Sequence, residues 1–346
     1  MSKTLQDYAT LINDTIQSNE INHYITTDNM CQNLGGIDTF KNINIPQGKV
    51  RLFQKDDILL SNIRLYFRKV YRAKQKGGCS SDVLVFRAKH IDSATLFAIL
   101  SSQIFTDYAC SGSQGSKMPR GNKTHMMDFK IPTINFTIAK IFNSIQNKIE
   151  NNHKINELLH TLAYKIYEYY FKYKPKNAKL EQIIIENPKS NIMVKNAQKT
   201  QGKYPFFTSG DNILSYPKAI IDGRNCFLNT GGNAGIKFYV GKASYSTDTW
   251  CICANEFSDY LYLLLSSIKN HINQSFFQGT SLKHLQKNLL KKYPIYVPSA
   301  HEIKKFNQII MPLLTLISIN TRTSKKLEQI RDFLLPLLLK QQVKPQ

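Results

Sequence analysis

The chain repeats itself. Gln114-Gly115-Ser116 recurs as Gln278-Gly279-Thr280, Ser81-Asp82 as Thr247-Asp248, and Ile131-Pro132 as Val297-Pro298, in one order and 164 to 166 residues apart. Each match is short. A shared order at a nearly constant offset is what a duplicated module leaves behind, and loop insertions account for the drift. With 346 residues there is room for two domains of about 150 residues each. The fold must therefore be one module built twice.

Each copy ends in a long helical pattern. Ile138, Ile145, Asn152, Leu159, Ile166 and Tyr173 fall every seven residues, and Ile141, Ile155, Leu162 and Tyr169 supply a second seam broken at Lys148. In the second copy Phe306, Leu313, Asn320, Leu327 and Leu334 form one seam. Ile303, Ile310, Ile317 and Leu338 form the other, broken at Ser324 and Arg331. A two-seam heptad predicts a coiled coil, and an Asn within a seam fixes its register. The alternative is that each helix packs on its own domain with its Asn exposed. Pro312 and Pro336 are potential kinks in the second helix.

The segments before the helices read as mixed α/β. Val83-Leu84-Val85-Phe86 and Lys237-Phe238-Tyr239-Val240 have strand character. Residues 96–108 and 260–272 read as short helices. The expected fold class is α/β (α+β): two similar domains at 1–134 and 175–298, with long antiparallel helices at 135–174 and 299–346.

The 46 basic and 24 acidic residues give +22, a balance that points to a polyanion, most commonly nucleic acid. The excess is spread along the chain (net +6 over 1–134, +4 over 135–178, +7 over 179–298 and +5 over 299–346), which favours a broad docking surface over a basic tail. Cys31, Cys79, Cys110, Cys226, Cys251 and Cys253 include no CxxC pair, so a disulfide framework and a zinc finger are not expected and a reducing cytoplasm is. No early apolar run reads as a signal peptide. The longest uncharged stretch, 306–321, is too short and polar to span a membrane.

Catalytic motifs do not emerge. Glu186-Asn187-Pro188-Lys189 lacks the second proline and the aromatic residue with which an adenine methyltransferase holds its flipped base. Gly231-Gly232-Asn233-Ala234-Gly235 matches neither GxGxxG nor a P-loop and reads as a tight turn between strands, or as a loop approaching a DNA backbone. Gly121-Asn122-Lys123-Thr124 lacks the P-loop spacing. Asp128-Phe129-Lys130 and Glu302-Ile303-Lys304 lack the upstream Asp of a nuclease. No histidine pair has metal-ligand spacing, so no metal site is expected. Cys251 and Cys253, two apart in a strand, share a face expected to be the core side.

Several phrases carry a family resemblance. They are Tyr24-Ile25-Thr26-Thr27-Asp28-Asn29-Met30 with Gly35-Gly36-Ile37, residues 77–86, Gly115-Ser116-Lys117-Met118-Pro119-Arg120-Gly121, Gln278-Gly279-Thr280, and Leu334-Leu335-Pro336-Leu337-Leu338. Together with the order domain, helix, domain, helix, they make the chain similar to the specificity subunits of Type I restriction-modification systems. The resemblance spans nearly the whole length; one departure from the family is the very short N-terminus, with the first recognition domain starting almost at Met1. It implies two target recognition domains, each reading half of a split double-stranded DNA target. The paired helices would act as spacer and dock two methyltransferase subunits, with restriction subunits joining. It implies no catalytic residue and no cofactor on this chain; S-adenosylmethionine, ATP and Mg are expected on the partner subunits. A stand-alone or orphan double-headed DNA-binding regulator of the same architecture is the alternative. A nuclease or methyltransferase fragment is a more distant one.

Reading DNA needs base-edge hydrogen bonds for sequence and Lys or Arg for phosphate. In the first copy the loop around Gly115 offers Ser113, Gln114, Ser116 and Asn122 beside Lys117, Arg120 and Lys123. Arg64, Arg68, Lys69 and Arg72 add a second basic cluster. The second copy offers Gln278, Thr280, Lys283, His284 and Lys287, with Thr208, Ser209, Asn212 and Lys237 as further candidates. For each, the plain alternative is a solvated surface residue. Tyr164, Tyr167, Tyr170 and Phe171 crowd the end of the first helix. They are expected either at a partner surface or packed against the second domain.

Overall fold

The computed structural model describes residues 3–38, 43–131, 134–198, 202–210, 213–280 and 282–339. The landmark Pro132, the candidate Asn212 and residues 340–346 of the expected second helix lie outside them. The chain divides into two compact units. Unit 1 comprises 1–151 with 324–346, and unit 2 comprises 152–323. Each long helix therefore contributes one part to each unit.

Unit 1 is built on a sheet of β1 (Ala9–Ile12), β2 (Ile58–Ser61), β3 (Val70–Arg72) and β4 (Val83–Ala88), in the order β1-β4-β2-β3 with antiparallel pairing throughout. The run Val83-Leu84-Val85-Phe86 has no polar partner position because both sheet faces are covered. Leu84 and Phe86 join the core that includes Phe97 and Phe105, whereas Val83 and Val85 join Ile25, Phe53 and Cys79 under a second sheet. The helix expected over 96–108 is two helices, α1 (Ser93–Leu100) and α2 (Gln103–Ser111). Asp92 caps the first, accepting from Thr95 N at 2.9 Å, and Ser102 Oγ caps the second, accepting from Phe105 N at 3.2 Å. A serine that satisfies an orphan amide starts a new helix more readily than it continues an old one. A short helix α3 (Lys123–Met127) precedes the long α4 (Phe136–Tyr167).

Unit 2 repeats the plan. The sheet of β5 (Ile185–Glu186), β6 (Arg224–Asn229), β7 (Ile236–Val240) and β8 (Thr249–Cys253) runs β5-β8-β6-β7, again antiparallel. Cys226, Leu228, Trp250 and Ile252 face the helices, and Phe227 and Cys251 face Phe207 and Tyr245. Cys251 is buried and Cys253 only partly so. The segment expected as one helix over 260–272 is α5 (Ser258–Ser267) and α6 (Lys269–Ser275), parted at Ile268. A short hairpin of β9 (Phe277–Gln278) and β10 (His284–Leu285) follows, then α7 (Lys287–Lys291) and the long α8 (Ala300–Leu338). Ser299 and Glu302 cap α8 reciprocally, Ser299 N donating to Glu302 Oε2 at 2.9 Å and Glu302 N to Ser299 Oγ at 3.4 Å. The helix runs through Pro312 and Pro336 without interruption.

Within each unit the parts of α4 and α8 run antiparallel. In unit 1, Asn135 N donates to Leu338 O at 3.1 Å, and Arg331 Nη1 donates to Gln146 Oε1 at 3.0 Å. In unit 2, Asn320 Nδ2 donates to Asn156 Oδ1 at 3.0 Å, while Phe171 packs on Phe306. The expected seam 303, 310, 317, 324, 331, 338 of α8 is buried along its whole length. Ser324 and Arg331 do not break it; Arg331 lies inside, bonded to Gln146 and to Asp332.

The second seam expected on α4 is corrected. Ile141, Ile155, Leu162 and Tyr169 are exposed, and the buried stripe is Ala139, Phe142, Gln146, Ile149, Asn152, Ala163, Tyr167 and Phe171. Small and polar residues line this stripe, so a count of aliphatic residues misplaces it by about one position. The Asn that bonds Asn320 is Asn156, which occupies its own place in the repeat, 164 positions earlier.

Candidate nucleic-acid interface

In unit 1 the turn between β2 and β3 meets the loop between α2 and α3. Asn62 N donates to Asp82 O at 2.7 Å, Gly121 N to Asn62 O at 3.1 Å, and Arg64 N to Pro119 O at 2.9 Å. Gln114 and Arg120 exchange both backbone bonds, at 2.9 and 2.8 Å, which closes the loop on itself. Gly115 makes the reversal at φ +97°, a conformation that favours glycine. The exposed side chains of this loop are Gln114, Ser116, Lys117, Met118 and Arg120, followed by Asn122 and Lys123. Arg120 Nη1 bonds Asp82 Oδ1 at 2.6 Å.

Unit 2 rebuilds the same frame from different residues. Thr230 N donates to Asp248 O at 3.2 Å, Leu285 N to Thr230 O at 3.0 Å, and Gly232 N to Lys283 O at 2.9 Å. Gln278 pairs with His284 across the β9–β10 hairpin, and Gly279 turns at φ +139°. Gln278, Thr280, Lys283 and His284 are exposed. Gly231–Gly235 is the β6–β7 turn, as the glycine-rich segment predicts, and it stands where Arg64 and its neighbours stand in unit 1.

Other expected contacts have structural work instead. Arg68 Nη2 donates to Ser101 O at 2.9 Å, and its burial lowers the guanidinium pKa. Lys69 Nζ bonds Thr27 O, and Ser113 Oγ donates to Ala109 O at 3.0 Å. Arg64 and Arg68 flank the β2–β3 turn at φ 51° and 49°, an unusual choice for arginine that marks a built turn. Asn122 Oδ1 caps α3, accepting from His125 N at 3.1 Å. Thr208 is buried, and Ser209 Oγ bonds Asp248 O. Lys287 lies over the Trp250 ring at 5.2 Å, half-buried, with its pKa lowered by desolvation.

Lys237 Nζ bonds Thr208 O at 2.9 Å, Gly210 O at 2.7 Å and Asn229 Oδ1 at 3.2 Å, so it tethers a loop. Lys237→Met is expected to cost unit 2 about 1–3 kcal/mol in denaturant unfolding, the usual price of leaving such partners unmet. A phosphate contact would instead show as a shallower salt dependence of DNA binding.

The aromatic cluster divides. Tyr167 and Phe171 are each 2 % exposed, in a core with Tyr260 and Phe306, which corrects the expectation of a partner surface at those two. Tyr164 and Tyr170 are half-buried. Asn62, Asp82, Thr230 and Asp248 are frame residues that residue-type reasoning passes over; the repeated Ser81-Asp82 and Thr247-Asp248 were their only trace. Among the described residues, no group of three or more His, Cys, Asp or Glu could hold a metal ion, and no helix is long and apolar enough to cross a membrane.

Residues 176–329 match the family model of the Type I restriction modification DNA specificity domain. Compared with curated proteins by sequence, the chain matches none. Among solved structures it is similar to the Type-I restriction-modification system S subunit from M. genitalium, with a TM-score of 0.64, 15% identity, and coverage of 99% of this chain and 96% of that one. It also aligns with the HsdS subunit from Thermoanaerobacter tengcongensis at 13% identity over 98% of this chain and 96% of that one, with a TM-score of 0.37. At 15% identity the likeness to the M. genitalium subunit shows a shared fold.

Proposed function

We propose that this chain, a Type I restriction-modification specificity subunit by its family match and its fold, is the DNA-reading, non-catalytic member of a larger complex. Two recognition domains, 1–134 and 175–298, each read one half of a split target. The helices at 135–174 and 299–346 set the gap between the halves and dock two methyltransferase subunits, which carry S-adenosylmethionine. Restriction subunits, with ATP and Mg, join that assembly. Working inside the cytoplasm, the chain supplies sequence choice alone.

One observation carries the reading: the same backbone frame is built twice, and it presents different side chains each time. A frame held by backbone bonds and strand pairing gives the rigidity that base-edge recognition requires. B-DNA turns once in about 10.5 base pairs, so two readers on a fixed spacer accept one gap length. The halves differ because the presented residues differ.

The test is a methylation map. The chain is co-expressed with the methyltransferase encoded beside it, and host DNA is sequenced for N6-methyladenine. The expected result is a split, asymmetric motif that requires both proteins. Soluble complex with no new methylation would reject the modification role and favour the orphan regulator.

A further inference from the structure

The two frames correspond position by position. Asn62, Asp82, Gln114, Gly115 and Arg120 of unit 1 correspond to Thr230, Asp248, Gln278, Gly279 and His284 of unit 2, each 164 to 168 positions later. The backbone bonds correspond as well. The Gln114–Arg120 pair matches the Gln278–His284 pair, and the bridges Ile63–Arg120 and Gly231–His284 tie both loops to the neighbouring turn. At the ends of each pair the glutamine is retained and the opposite residue changes from Arg to His. Both Arg120 and His284 are exposed.

Arg120 differs from a simple phosphate binder. Its Nη1 is 2.6 Å from Asp82 Oδ1, with the arginine side chain 59% exposed and the aspartate 27%. A carboxylate at that distance offsets the positive charge that a phosphate would seek. It also limits the rotation of the guanidinium. What survives is directional: five N–H donors in a planar fork, one of them engaged. A fork held at a set angle suits the O6 and N7 acceptors of guanine in the major groove. His284 can offer only one donor or acceptor per ring nitrogen, so an identical frame must read a different pattern.

We propose that Arg120 and His284 are equivalent specificity-determining side chains of the two half-sites, with Arg120 reading a guanine and Asp82 acting as its positioning residue. This rests on the DNA-reading function proposed above. It adds which side chain distinguishes the halves and which base one of them reads.

The test repeats the methylation map with variants of the full chain. If the unaltered chain gives no split motif, the function fails, whatever the variants do. Given a motif, Arg120→Gln should lower discrimination at one guanine about tenfold or more, the worth of a lost bidentate contact, and leave the other half-site unchanged. His284→Gln should alter only the other half-site. Asp82→Asn should relax the same guanine as Arg120→Gln while sparing the second half, a pattern that general loop damage would not give. Lys117→Ala, in the same loop, should reduce methylation without changing the motif. Should Arg120→Gln abolish methylation, Arg120→Lys decides, since it keeps the charge and removes the fork: a relaxed guanine supports the proposal. An unchanged motif in Arg120→Gln, or loss of all methylation in both Arg120 variants, overturns it.

Discussion

Replacing Asp259 with alanine is expected to cost unit 2 about 3–5 kcal/mol, enough to unfold a marginal domain. Asp259 is 1 % exposed on α5. Its two oxygens each lie 2.5 Å from Arg224, one on Nε and one on Nη2. The same guanidinium donates to Thr315 Oγ1 at 3.0 Å and Met311 O at 3.1 Å on α8, and rests over the Phe238 ring at 5.8 Å. One ion pair therefore ties a strand, a short helix and the long helix together. Removing the acid leaves a largely buried guanidinium without its counter-charge. The double replacement Arg224→Met with Asp259→Leu removes the stranded charge and should recover much of the loss, since a buried pair is worth little more than the apolar pair that replaces it. Denaturant unfolding read from Trp250, the only tryptophan and itself in the unit 2 core, measures both. Equal losses in the single and double variants would refute this account.

Phe171→Ala should cost a similar amount, about 3–5 kcal/mol, and Tyr169→Ala within about 0.5 kcal/mol. The two residues are neighbours in sequence and opposites in place. Phe171 meets Tyr260 at 5.3 Å and Phe306 at 4.9 Å between ring centroids, in edge-to-face contact. Tyr169 is 86% exposed. Should the two variants unfold at the same denaturant concentration, the assignment of Phe171 to the core would be wrong.

Much of this was legible beforehand, and the reasons are physical. Val83–Phe86 and the α8 seam carry strong periodicity because their burial is continuous. The glycine landmarks at 115 and 279 answer to positive φ, and positions 82 and 248 supply the carbonyls that hold each frame. The stripe of α4 escapes a reading by aliphatic spacing because its buried members include Ala139, Gln146 and Asn152. A buried amide or alanine looks like a surface residue until its partner across the helix pair is known. The same blindness hid Lys237 and Arg68. A basic residue near a loop reads as a DNA contact, yet a long side chain is equally able to turn inward and collect carbonyl groups. Only exposure and bonding partners separate the two uses.

Unit 1 is closed by the last part of the chain. Leu335, Leu338 and Leu339 lie in one core with Phe97 and Phe142, and Arg331 completes the bonding of Gln146. All of residues 152–323, the whole of unit 2, is made in between. At about 5–20 residues per second, that interval lasts roughly ten to thirty seconds during synthesis. The first-born unit is thus the last to finish. Through that wait Phe142 has Phe97 beside it but lacks the cover of Leu335, Leu338 and Leu339, while the later-born unit has all of its own residues in hand. A chain cut short near residue 324 should therefore leave unit 1 without part of its core while unit 2 keeps all of its own residues.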